Sequence, residues 1–527
     1  MSRNRSGIEV RPAYGVEGSA TAEWPGLFPY TRGIYPVHYQ YQPWMDLQII
    51  GYGVPGQLRE RMDLLRDQGG AKGYFGAEAY NIIFDMPTSM GFDPDYPGVR
   101  GAIGDCGVSI CKVSDFEVLL AGKDLSKTHL SMVLNAGSPA MLGLYLAAAR
   151  RLGFSWSTLS GNLTNYILDF FGHCGGVNFQ PRNSYRLCVD VAVYCAIHVP
   201  RFNTITVSEH NICEAGATNV QAVAFSLATI IALNEECKRS GIPVDEIAPR
   251  YGFHMRFGED FFEDIAKTRA LRRLYAKINQ QRFGCKKPQS LQARIHGQTA
   301  GSLLTVQQPL NNLIRSAYGA LSAVLAGVNS MTVNAFDEAL GIPTEEAVTL
   351  ALRTSQILSE ETGVRKVTDP LGGSHYVEAQ TDAIEQRCLE LIAQVDEQGG
   401  LISAIESGWM SDQVTTSAYR WRNEVERGDR PLVGVNCYRT EEPDPTRVFR
   451  PDPAAPRLAL DDLEQHRTKR DQRRCAEAQA ELQAAAIEMR DGKATGNVTA
   501  ALVAAAEAGT TLGEMQAALF ETLGRNK

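Results

Sequence analysis

Ser208, Glu209, His210 and Asn211 place a hydroxyl, a carboxylate, an imidazole and a carboxamide side by side. Such a set can orient a polar substrate and, through His210, handle a proton. The run before it alternates Thr204 and Thr206 with Ile205 and Val207, the pattern of a short buried strand over 204–208. Small and polar residues follow, and from Val220 a helical pattern runs to Gly241. Titratable groups at the C-terminal end of a strand that feeds a helix stand where α/β barrels keep their chemistry. The alternative is a strand end whose His and Glu are only hydrogen-bonded or wet.

The elements that must position such a group are legible on either side. Strand patterns are expected at 81–86, 130–135, 156–160, 204–208, 250–255, 291–296, 330–334 and 364–368. Helical patterns lie between them, at 140–151, 260–279, 310–326 and 344–359, with an earlier one at 57–68. This alternation predicts an α/β fold, a (β/α)8 TIM barrel. An open doubly wound sheet is the rival, but no GxGxxG follows the first strand. The expected division is an N-terminal arm over 1–44, a substrate-binding barrel over 45–385 and a helical linker region over 386–527. Residues 35–44 read as aromatic and extended, 381–406 as helix, 444–457 as a Pro-rich linker, 460–491 as one charged helix and 496–523 as a helical pair.

Composition narrows the class. The chain has 527 residues, 44% of them hydrophobic and 21% charged, as in a soluble globular protein. A net charge of −8 argues against a nucleic-acid partner, and the basic run 467–474 reads as a solvated helix face. No apolar run approaches a membrane span and the N-terminus has no signal-peptide core, so a cytoplasmic protein without membrane contact is expected. The 11 cysteines form no CxxC pair, which points to buried free thiols and to no metal site.

Several long stretches resemble one family in colinear order over roughly residues 25 to 440. NTITVSEHNICEAGAT (203–218) resembles the NSISISGYHxxEAGAT strand end of the adenosylcobalamin-dependent acyl-CoA mutases, the methylmalonyl-CoA and isobutyryl-CoA mutase family. PWMDLQIIGYG (43–53) stands where that family has RPWTxRQ(Y/F/I)AGF. FDMPTSMGFDPDYP (84–97), ARIHGQTAGSLLT (293–305), NAFDEALGIPTEEA (334–347) and DPLGGSHYVE (369–378) extend the match. The resemblance implies adenosylcobalamin as cofactor, which carries the hard chemistry while the protein positions groups and keeps water away. Cobalamin domains of this class carry a DxHxxG motif, and none of the 9 histidines here has Asp two before and Gly three after. The resemblance therefore implies a separate small cobalamin-binding subunit that holds most of the cofactor, in a heterotetramer.

Residue by residue, the family register places Asn334 and Glu338 at the adenosyl ribose, Phe84, Glu214 and Gly301 near the corrin, and Gly51 beside the adenosyl group. The catalytic set is His210, Asn211 and Gln298. Here the family's carbonyl-contacting Tyr–His pair has become His210–Asn211, so His210 is expected to take over the thioester oxygen. The substrate contacts are Tyr35, Ile49, Ile83, Thr164, Cys174, Arg250, Arg294 and His296. Cys174 replaces an Arg that would grip a free carboxylate, Thr164 replaces a Gln, and Ile49 and Ile83 are apolar. That argues against methylmalonyl-CoA and against a hydroxylated acyl group. At the carrier end, Gln42, Met45, Leu47 and Gln289 replace Arg, Thr, Arg and Lys, so the carrier is either coenzyme A with re-routed contacts or a carrier protein. The expected function is the large subunit of an isobutyryl/2-hydroxyisobutyryl-type mutase, an isomerase, with divergent substrate-site residues. The rivals are a mutase for an unusual carrier-bound or nitrogen-containing substrate and a degenerate regulatory subunit.

Overall fold

A two-residue ribbon opens the chain, β1 (Ser2–Arg3) antiparallel to β2 (Glu9–Val10). Ten strands follow: β3 (Met45–Asp46), β4 (Ile49–Ile50), β5 (Glu78–Ile83), β6 (Thr128–Val133), β7 (Ser160–Leu163), β8 (Phe202–Asn203), β9 (Ile205–Ser208), β10 (Tyr251–Phe257), β11 (Arg294–Thr299) and β12 (Ser330–Thr332). They make two five-stranded sheets, ordered β3-β12-β11-β10-β9 and β4-β5-β6-β7-β8. The computed structural model describes residues 2–3, 5–15, 23–165, 178–440, 448–493 and 496–526. It divides into two units, one of Met1–Gln48, Ser208–Ala232 and Gly252–Phe449, the other of Ile49–Val207, Leu233–Tyr251 and Arg450–Lys527.

In the first unit, β10 to β12 and β3 pair in parallel, and helices Phe261–Gln281, Asn311–Ala326 and Glu345–Glu360 follow β10, β11 and β12. Period-two alternation explains both faces of these strands. On β10 Phe253, Met255 and Phe257 are fully buried, and His254 and Arg256 point to the other side. β11 repeats the pattern with Arg294, His296 and Gln298 alternating with Ile295, Gly297 and Thr299. Register aligns His254 with His296 and Arg256 with Gln298, then His296 with Ser330 and Gln298 with Thr332. Polar layers therefore stack along the strands. Helix Phe261–Gln281 begins where the Asp260 carboxylate accepts from Glu263 N.

In the second unit, β4 to β8 pair in parallel in chain order. Its core includes the C-terminal helices Asn497–Ala508 and Leu512–Leu523. The buried Asp190 accepts from Val498 N and Thr499 N, so it caps the first of these helices from a distance in sequence. A Cβ on Gly143 would lie 3.0 Å from Leu502 O, so the absent side chain lets the two backbones approach.

The structure corrects several expectations. The stretch 364–368 is not a strand but holds a 3-10 turn, Val364–Lys366, behind the left-handed Gly363. The missing strand is instead the pair β3 and β4, parted only by Leu47 and Gln48. Thr204 alone likewise parts β8 from β9. Trp156–Thr158 is a 3-10 turn ahead of β7, and residues expected to be extended before Trp44 form a short helix, His38–Tyr41. The helix expected over 381–406 starts earlier, as His375–Glu397, breaks at Gly399 and Gly400, both at positive φ, and resumes as Leu401–Glu406. The charged helix over 460–491 is two, Ala455–Lys469 and Gln472–Arg490, because Asp471 caps a new start. The basic run is not simply solvated: Arg467 pairs with Asp93 and Arg470 with Glu514. Cys106 is an exposed thiol and Cys437 a half-buried one; the other described cysteines are buried, and none of the described ones is in a disulfide. Helix Asn219–Arg239 is, by length and composition, apolar enough to cross a membrane, contrary to expectation, but 83% of its apolar window is buried as in a core helix.

Candidate active site

The strand end 208–211 does turn straight into a helix. Ser208 Oγ accepts from Asn211 N at 3.0 Å and starts Glu209–Glu214. This cap brings Glu209, His210 and Asn211 into one buried helical turn. The His210 ring lies flat on His254, 4.4 Å between centroids and 7° between planes. His296, one strand further on, stands 5.1 Å from His254 with its ring tilted by 47°, so three imidazoles follow one another across the strands. His254 Nε2 is 2.8 Å from Gln298 Oε1, and Gln298 Nε2 donates to Asn334 Oδ1 at 3.0 Å.

His296 is fully engaged. Its Nδ1 lies 2.8 Å from Ser330 Oγ and its Nε2 3.2 Å from Thr332 Oγ1. The Thr332 hydroxyl donates to Leu47 O, so it must accept from His296 Nε2–H. Burial, helped by the neighbouring His254, pushes His296 well below its usual range and keeps it neutral. His296 is thus a wall of the site rather than a free donor.

Beyond Gln298 the polar groups converge on Gly301. A Cβ there would lie 3.4 Å from Asn334 Nδ2, 3.4 Å from Glu214 Oε2 and 3.5 Å from Glu338 Oε1. Asn334 Nδ2 is buried with no hydrogen-bond partner among the described residues. One orphaned donor beside two carboxyls, around a position without a side chain, fits the vicinal hydroxyls of a ribose. Glu214 itself is held by Ser302 N at 2.7 Å and by Arg256 Nε at 2.6 Å. Burial, with Glu214 and Asp337 nearby, raises Glu338 to about 8, so near neutral pH its carboxyl can donate as well as accept.

Under the strand end lies a buried charge cluster. Glu209 accepts from Arg256 N at 2.8 Å and pairs with Lys267 Nζ at 3.0 Å, which also reaches Asp264 at 3.1 Å. Burial opposes the charge on Lys267, yet Glu209 and Asp264 outweigh it and hold the ammonium above its usual range. His254, Arg256 and Lys267 were missed from sequence. The signal for the first two was present, since polar residues at every second position of YGFHMRF break an otherwise apolar strand.

The structure thus gathers His210, Gln298, His296, Glu214, Gly301, Asn334 and Glu338 in the first unit, with Asn211 beside His210. Arg294 begins β11 on the same face as His296. Tyr35 is exposed, its ring 5.8 Å from that of His38. The remaining expected contacts belong to the second unit. Ile49 and Ile83 lie on β4 and at the end of β5, and Phe84 follows, buried, bridged to Val108. A Cβ on Gly51 would fall 2.1 Å from Ile83 O, so strand packing requires a glycine at this position. Thr164 Oγ1 donates to Met132 O at 3.0 Å, and Arg250 donates to Glu246 O and Pro200 O. Cys174 lies outside the described residues.

Known proteins share this sequence over most of its length. The family model described as methylmalonyl-CoA mutase matches residues 3–525. The 2-hydroxyisobutanoyl-CoA mutase large subunit of Aquincola tertiaricarbonis is 40% identical over 420 residues, covering 80% of this chain and 74% of that protein. Methylmalonyl-CoA mutase of Rhizobium meliloti (strain 1021) is 36% identical over 523 residues, 98% of this chain and 72% of its own. The mitochondrial methylmalonyl-CoA mutase of Homo sapiens is 34% identical over 524 residues, 99% and 68% respectively. By these matches the chain belongs to the methylmalonyl-CoA mutase family.

Proposed function

We propose that the chain is the substrate-binding large subunit of an adenosylcobalamin-dependent acyl-CoA mutase, on a (β/α)8 barrel, and that it rearranges short isobutyryl- or butyryl-like thioesters. The single observation that carries this reading is the cradle at Gly301, where Asn334 Nδ2, Glu214 and Glu338 meet. When bound, adenosylcobalamin supplies radicals by breaking its Co–C bond. The chain's own part is positional. Asn334 Nδ2 would donate to a ribose hydroxyl, and Glu338 and Glu214 would take up the remaining hydroxyl hydrogen bonds. Arg256 and Ser302 keep the Glu214 carboxylate in place. At the strand end, the buried His210 would donate to the thioester oxygen as a preorganised dipole. His296 closes the wall without competing for the proton.

The acyl preference follows from residue types. Thr164 spends its hydroxyl on Met132 O, and Ile49 and Ile83 offer apolar surface, so these positions supply no cation for a second carboxylate. The name of the Aquincola relative, a large subunit, supports a small cobalamin-binding partner for this chain, and we extend that to a heterotetramer. The test is turnover by the reconstituted complex of butyryl-, isobutyryl-, 2-hydroxyisobutyryl- and methylmalonyl-CoA. Interconversion of butyryl and isobutyryl chains is expected; methylmalonyl-CoA as the fastest substrate overturns the reading.

A further inference from the structure

The contacts from His254 to Asn334 form a chain of one imidazole and two carboxamides, and such a chain has two possible directions. With the proton on His254 Nε2, that N–H donates to Gln298 Oε1, Gln298 Nε2 donates to Asn334 Oδ1, and Asn334 is left with a donor, Nδ2, to present. With a bare Nε2, both carboxamides turn over and Asn334 presents Oδ1 instead. The second arrangement would set a third acceptor beside Glu214 and Glu338, the two carboxyls that already face Gly301. Asn334 Nδ2 is the amide donor that faces the Gly301 position beside these carboxyls, so the direction of the relay decides whether the cradle keeps it. His296 cannot set it, because both of its nitrogens are committed to Ser330 and Thr332.

We propose that His254 is a positioning residue whose Nε2–H fixes the direction of the Gln298–Asn334 relay, so that Asn334 offers Nδ2 to a hydroxyl-bearing ligand, while its ring face seats His210. The donor at the strand end and the donor in the cradle are then set by one side chain. What occupies the cradle rests on the mutase reading; the direction of the relay does not.

The experiment uses the full chain labelled with 15N histidine, glutamine and asparagine, alone and in complex with the cobalamin-binding subunit. In the wild type, the His254 imidazole resonances should report a protonated Nε2. His254→Phe keeps a flat ring against His210 but removes the N–H. It should shift the side-chain NH2 signals of Gln298 and Asn334, and loosen adenosylcobalamin binding by about five- to tenfold, the loss of one hydrogen bond. His254→Gln, which keeps a donor, should recover most of that affinity. Should His254→Phe fail to fold, Gln298→Leu cuts the relay at its middle and must shift the Asn334 signal in the same way. A bare Nε2 in the wild type, or unchanged NH2 signals and affinity in both variants, overturns the proposal. Expected signals and affinities in a complex that turns over no acyl thioester would instead remove the mutase reading and leave the relay standing.

Discussion

At the scale of the residue, the strand end holds two candidates for one job. His210 has its ring on His254, and Asn211 is buried in the same helical turn. If His210 is the donor to the thioester oxygen, His210→Ala should lower turnover about a hundred- to a thousandfold, the usual cost of one such donor, with cofactor binding unchanged. Steady-state kinetics of the reconstituted complex decide it, and full activity in His210→Ala beside a dead Asn211→Ala would assign the role to Asn211. Glu338 makes a second prediction, about pH. Its folded value of about 8 lies above the ordinary 4.5, so between those values the folded chain holds a proton that the unfolded chain has lost. That contribution to stability is complete below the ordinary value and disappears as pH rises through the folded one. Glu338→Gln should therefore flatten the fall in stability with rising pH over that window, read as denaturant midpoints for both proteins. Parallel curves would mean that the proton sits elsewhere.

At the scale of the element, the chemistry is tied to helix Phe261–Gln281 through Lys267. Its ammonium sits between Glu209 and Asp264, all three fully buried. Lys267→Met would leave two buried carboxylates without their cation, at a cost of about 3–5 kcal/mol. The paired change Lys267→Met with Glu209→Gln should recover part of that loss in chemical denaturation; a double variant no better than the single one would show that Glu209 is not the group stranded. This scale also shows what was legible. The eight-stretch count survives, because β3 with β4 and β8 with β9 are each one stretch of chain interrupted by one or two residues. Its membership changed. Two-residue strands carry too few alternations to read, and the stretch 45–50 reads only as a motif. Val364 and Val367, in contrast, look like strand residues but sit half-exposed behind a left-handed glycine. The cradle residues were legible through family register, which marks Gly301, Glu214, Asn334 and Glu338 without showing that they meet. His254 and Arg256 lay outside that register, and only strand alternation reveals them.

At the scale of the whole molecule, the question is what completes the cofactor site. The cradle at Gly301 offers one orphaned donor and two carboxyls, enough for a ribose but small against a corrin. None of the 9 histidines lies in a DxHxxG setting, so these 527 residues do not supply a lower cobalt ligand by that motif. The Aquincola relative, 40% identical, is itself named as a large subunit. With the cradle as this chain's main hold on the cofactor, weak binding of adenosylcobalamin by the purified chain is expected. Two sites joined on one ligand bind far more tightly than either, because the second contact forms at high effective concentration. Adding a small cobalamin-binding subunit should therefore tighten retention by at least about a hundredfold. It should do so less well with Glu338→Ala, which removes a charge-capable hydrogen-bonding group from the proposed ribose cradle. Equilibrium dialysis followed by cobalamin absorbance measures both. Tight retention by the isolated chain, unaffected by Glu338→Ala, would place the cofactor's main anchor within these residues and away from the cradle.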